Sequence, residues 1–239
     1  MARMTLDDLV AQLRAAFGAE LRSVVLYGSA AAGQTIAKKP DYNVLVIVDE
    51  LGAARLTAAS ATARAWAESG NPAPLTMTST EWRGSADIFP MEYADLLDRH
   101  KVLYGEPPFD GITVHVRDLR LQLEQEAMGK LLRLRQGVLA SGNDEGRQRE
   151  LLEASASTIM AIFRAFIRLH RETPAAEQMS VVQAVAQRAG FSAEPFLRVL
   201  SHNRGEREIA KSDVGGVLAG YLEGMEKLVR YLDAYVAAA

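Results

Sequence analysis

No cysteine occurs in the 239 residues. This excludes disulfides, thiolate zinc sites and a cysteine nucleophile, and fits a reducing compartment. Positive charge is not in excess either: 27 Lys and Arg stand against 30 Asp and Glu, a formal net charge of -3. With a pI of about 5.9 there is no global positive field to draw the chain onto a phosphate backbone, so nucleic acid is a poor first substrate. Long hydrophobic runs are missing too. Nowhere do about 18 apolar residues follow one another, and Met1 to Asp8 show no apolar stretch with a cleavage site of the signal-peptide type. The expectation is a soluble, cytoplasmic protein without a membrane partner.

What is present is ordinary globular composition, 49% hydrophobic and 24% charged, over a length that suits one large domain or two smaller ones. Thr5 followed by Leu6, Leu9, Val10, Leu13 and Phe17 has helical spacing, with Asp7 and Asp8 near the positive end of the helix dipole. Leu21 to Tyr27 and Asn43 to Val48 are short, apolar and β-branched, and they read as buried strands. The alanine-rich stretch from 53 to 68 suits a helix, Pro72 and Pro74 end it, and Leu75 to Thr80 reads as a third strand. A short helical segment, Met91 to His100, precedes the apolar Val102, Leu103 and Tyr104. Pro107, Pro108 and Gly111 then mark a break. Beyond residue 117 the spacing is helical throughout. Strands therefore precede helices, and the expected fold class is α+β: a mixed sheet with flanking helices over 1–110, followed by an all-helical bundle over 117–239.

The segment that carries chemistry is Leu26, Tyr27, Gly28 and Ser29, then eleven residues, then Asp41, Tyr42 and Asn43 opening the second strand. Glycine allows close backbone approach to phosphate, and a serine hydroxyl with free amides can bond phosphate oxygens. Residues two apart on a strand face the same way, so Asp41 and Asn43 share a face and Tyr42 takes the other. This pattern resembles the nucleotidyltransferase superfamily, in which Gly-Ser ends one strand and Asp-x-Asp opens the next, and the resemblance spans about the first 105 residues. It implies that Gly28 and Ser29 hold a nucleoside triphosphate, and that Asp41 and Asn43 stand at the catalytic, metal-ligating positions. In the family three carboxylates hold divalent metals that align the nucleotide and stabilise charge in phosphoryl transfer.

Two of those three acids are missing here. Asn43 replaces the second acid with an amide that brings no charge, whereas magnesium is held by carboxylates, phosphates and water. Thr76 stands where the third acid is expected on the strand Leu75 to Thr78. Glu81, Asp87 and Glu92 are nearby acids, and Asp87, ahead of Ile88 and Phe89, is the candidate for the third metal ligand. The resemblance thus implies a triphosphate-binding protein with a weakened Mg2+ site, in which transfer of a nucleoside monophosphate to a small-molecule acceptor is weak or lost. The alternative is a catalytically silent nucleotide sensor or partner-binding protein. The helical half resembles the substrate-binding helical domains of aminoglycoside-modifying nucleotidyltransferases, with the site expected between the two halves.

Other residues carry weaker signals. Arg164 and His170, six positions apart, match the Arg-x(4-6)-His pattern of HEPN domains, some of which cleave RNA, but they can equally edge an apolar helix. His100, His115 and His202 have no partner at metal-ligand spacing. The stretch from Asp95 to Lys101 reads as a solvated helix face. Arg117, Arg120, Lys130, Arg133 and Arg135 are candidates to reach phosphates, although such residues are usually surface charges. The only tryptophans, Trp66 and Trp82, are candidates to line a base pocket or to serve as core. The apolar helix from Val214 to Val236 suits a homodimer contact as well as it suits the chain's own core.

Overall fold

The structure, a computed structural model, describes residues 3–28, 30–31 and 42–235. The chain divides into two compact units, residues 1–114 and 115–239.

In the first unit, helix α1 (Leu6–Phe17) starts at a reciprocal cap. The Thr5 hydroxyl accepts from the Asp8 amide at 3.1 Å, and the Asp8 carboxylate accepts from the Thr5 amide at 3.0 Å. Strand β1 (Leu21–Tyr27) follows, then β2 (Asn43–Val48), helix α2 (Ala53–Glu68) and β3 (Leu75–Thr78). The expected third strand stops two residues early. Thr78 and Glu81 form a second capping box that turns the chain into helix α3 (Ser79–Gly84). Helix α4 (Pro90–Asp98) leads into β4 (His100–Gly105), so the apolar run at 102–104 is a fourth strand.

The sheet order is β3-β2-β1-β4, with β1 antiparallel to both neighbours and β2 parallel to β3. Both faces are covered, which is why β1 and β2 are nearly continuous in apolar residues. Val24, Leu26, Val44, Val46 and Val48 pack with Leu9, Leu13, Phe17 and Trp66 from α1 and α2. On the other face Val25, Leu45 and Ile47 pack with Trp82, Tyr93 and Leu96. Trp66 and Trp82 are 0% and 2% exposed. They are core side chains, which removes them as walls of a base pocket.

The second unit consists of α5 (Val116–Ser141), α6 (Glu145–Leu169), α7 (Gln178–Ala189), α8 (Glu194–Asn203) and α9 (Lys211–Ala234). Its centre is aromatic: Phe163 lies 5.2 Å from Phe196, which stacks on Tyr221 at 4.3 Å between ring centroids. Deleting a buried ring of this kind typically costs about 3–5 kcal/mol. The apolar residues of α9, from Val214 through Tyr221 to Leu232, are buried against α5 and α6. The helix singled out as a dimer contact therefore spends that face on its own core. The fold is the expected α+β class, a mixed sheet with flanking helices and a helical C-terminal region.

Candidate functional site

The strand register gathers one edge of the sheet around the end of β1. Tyr27 is paired with Asn43 on β2 and with His100 on β4. Gly28 follows at φ +81°, a left-handed conformation that favours glycine, and its amide donates to the Arg99 carbonyl at 3.1 Å. A Cβ added to Gly28 would lie 3.7 Å from Nδ2 of Asn43, so the turn and the amide are neighbours. Two of the sequence candidates, Gly28 and Asn43, thus meet at this edge. Ser29 and Asp41 lie outside the described residues.

The third-acid position is decided by register. In the parallel pair, Leu45 is opposite Leu75, Val46 opposite Thr76 and Ile47 opposite Met77. Asn43, Leu45 and Ile47 share one face of β2. The residues of β3 on that face are Leu75 and Met77, while Thr76 lies beside Val46 on the other. The hydroxyl of Thr76 donates to the Pro74 carbonyl at 3.3 Å. Thr76 therefore does not share the Asn43 face, and neither β3 residue that does is acidic.

The nearby acids are distributed differently from one another. Glu81 is used as a cap, accepting from the Thr78 amide at 2.7 Å. Asp87 is exposed in the turn before α4. The opposite end of that helix, about 13 Å along its axis, is the one that meets Gly28. Glu92 and Asp95 are three apart on α4 and share a face. They act on Tyr27: burial first, then the charges of Glu92 and Asp95, push its phenol above the ordinary tyrosine value.

Asp95 also pairs with Arg99, and their side chains are 24% and 16% exposed. Within 95–101, read as a solvated face, Asp98, His100 and Lys101 are exposed, whereas Asp95 and Arg99 are partly buried. The spacing of four between Asp95 and Arg99 is visible in the sequence, but not that the pair is partly buried. Among the described residues, no three His, Cys, Asp or Glu are grouped to hold a metal ion.

The chain is similar to the spectinomycin adenyltransferase AAD(9) from Enterococcus faecialis, whose structure contains ATP and spectinomycin. The TM-score is 0.62 over 95% of this chain and 98% of that one, at 12% identity. The fold is that of a nucleotidyltransferase. No protein-family model matches the chain, and no curated protein matches it in sequence. At 12% identity the likeness concerns architecture, so the chemistry has to be argued from the edge just described.

The remaining candidates have structural employment. Arg117, Arg120, Arg133 and Arg135 pair with Asp118, Glu124, Glu126 and Glu226. His202 bonds Glu153 at 2.8 Å, and Nδ1 of His100 lies 2.9 Å from the Leu96 carbonyl. His170 closes α6, with its ring against Phe166, Tyr231 and Tyr235 and its Nε2 3.2 Å from the Tyr231 hydroxyl. Burial and the charge of Arg188 lower its pKa, against the pull of Glu172. Six helical positions rotate Arg164 about 120° away from His170. A groove lined by Arg22, Asp49, Ser79 and Arg83 opens at the opposite end of the sheet from Gly28.

Proposed function

We propose that this protein binds a nucleoside triphosphate at the Gly28 edge of the sheet, and that transfer of the nucleoside monophosphate to a small-molecule acceptor is weak or lost. Gly28 and Ser29 receive the triphosphate. Asp41 is the one acid of the motif and would hold the magnesium that accompanies the nucleotide, with Asn43 contributing an amide oxygen.

The observation that supports the reading is the left-handed turn at Gly28 beside the amide of Asn43, where an added Cβ would lie 3.7 Å from Nδ2. A phosphate-accommodating turn is kept where carboxylates are replaced by neutral groups. The similarity to an adenyltransferase structure containing ATP and spectinomycin supports a nucleotide and a small-molecule acceptor as the ligand classes. A silent nucleotide sensor is the second reading, and the neutral amide at position 43 favours it equally. The packing of His170 among aromatic rings gives the RNase reading no support.

Calorimetric titration with nucleoside triphosphates, with and without magnesium, tests the proposal alongside Asp41→Ala. Binding that magnesium strengthens and the variant loses is the expected result. Absence of binding under every condition would overturn it. Pyrophosphate release in the presence of an aminoglycoside-like acceptor separates a weak transferase from a silent sensor.

A further inference from the structure

Helix α5 carries an apolar stripe that its own unit leaves uncovered. Leu121, Met128, Leu132 and Leu139 are 56%, 42%, 48% and 83% exposed. Their spacings of seven, four and seven keep all four within about 20° of one line on the helix surface, at about 100° per residue. The buried residues of α5, including Leu119, Leu123, Ala127 and Leu134, lie on the opposite side. The stripe is thus a second apolar face, about 27 Å long.

We infer that this stripe pairs with the same stripe of a second copy of the chain, with the two α5 helices antiparallel. The stripe is palindromic about position 130. Leu121 then faces Leu139 of the partner subunit, and Met128 faces Leu132 of the partner subunit, so apolar side chains meet along the whole length. In a two-fold antiparallel pair each flank meets its own copy. On one flank Glu124 comes within one residue, about 1.5 Å, of level with Arg135 of the partner subunit, and the reverse, which places opposite charges across the seam twice. Within one chain Glu124 already bonds Arg120 at 3.1 Å and Arg135 bonds Glu226 at 2.8 Å. The cross-pairing joins these into a network of alternating sign. On the other flank Gln125 comes as close to level with Gln136 of the partner subunit, and neither side carries charge. A parallel two-fold pair would instead set the flank of Glu124 and Arg135 against the uncharged flank of Gln125 and Gln136, with no opposite charges across the seam.

A single helix face of this length, about 10–12 Å wide, presents roughly 300 Å² of surface against about 800 Å² per partner in a standard interface. The dimer is therefore concentration-dependent, not obligate. Sedimentation velocity from about 1 μM to about 500 μM should show the 26.0 kDa chain shifting toward twice its mass in the upper part of that range. Leu132→Glu buries an unpaired carboxylate at the seam and should raise the dissociation constant at least about tenfold. Its circular dichroism and melting temperature should stay close to wild type, because the side chain faces solvent in the monomer.

Orientation is read by cross-linking, which the absence of native cysteine makes clean. L121C mixed with L139C should form a disulfide-linked pair, whereas neither variant should link to itself, since the like positions stand about 27 Å apart. A monomer at every concentration, or L121C linking to itself, would overturn the inference.

Discussion

Gly28 and Gly105 both sit at positive φ, +81° and +78°, but only one of them has room for a side chain. A Cβ on Gly28 would meet Nδ2 of Asn43 at 3.7 Å, an ordinary contact, whereas a Cβ on Gly105 would fall 1.8 Å from the Arg22 carbonyl oxygen. Gly28→Ala should therefore cost about 1–2 kcal/mol, the strain of the left-handed conformation alone. Gly105→Ala forces β4 away from β1 and should cost more than about 3 kcal/mol. Denaturant unfolding of both variants checks the order, and equal costs would contradict the packing described at Gly105.

Restoring an acid beside the turn should strengthen the candidate site. Asn43→Asp adds a carboxylate on the face shared with Leu45, and magnesium-dependent nucleotide affinity should rise about tenfold, equivalent to about 1.4 kcal/mol. Calorimetry with and without magnesium reads it. An unchanged magnesium dependence would mean that position 43 does not meet the metal-nucleotide complex.

Tyr93 makes a prediction in the alkaline range. Its hydroxyl donates to the Trp82 carbonyl at 2.6 Å, and its ring stacks on Trp82 at 4.1 Å. Burial, with a smaller push from the charge of Asp87 and against a hydrogen bond with Ser85, raises its pKa from 10.0 to about 12. Because the folded value is above the unfolded one, the stabilisation is fully present below pH 10 and is lost as pH rises toward about 12. Stability measured across that window should fall less steeply in Tyr93→Phe than in the wild type.

Tyr221 and Ser155 are buried with their hydroxyl oxygens 2.9 Å apart. Burial drives the phenol of Tyr221 upward, so it stays neutral through the physiological range. Ser155 also donates to the Leu152 carbonyl at 2.8 Å, and Tyr221→Phe does not leave it without a partner. The expected loss is about 1 kcal/mol, read as a lower unfolding midpoint with an unchanged denaturant slope.

Several elements are legible in the sequence because their causes are local. The helical spacing from Leu6 to Phe17, the β-branched runs ending at Tyr27 and Val48, and the break after Tyr104 depend on neighbours within a few residues. The α+β order follows from strands preceding helices. The Gly28 and Asn43 candidates are legible for the same reason, since a turn glycine and a strand-opening residue are marked by their flanks.

Sequence by itself thus determined the strand–helix order and the start of the first helix, which are properties of residue type and short spacing. Only the tertiary structure decided that Thr76 turns away from Asn43, because strand register is set by pairing across the sheet and a shift of one residue reverses the face. It also decided that Trp66 and Trp82 are core, that Asp95 and Arg99 are partly buried, and that α9 is covered while the stripe on α5 is not. Periodicity announces an apolar face, but which neighbour buries it depends on contacts between residues far apart in the chain.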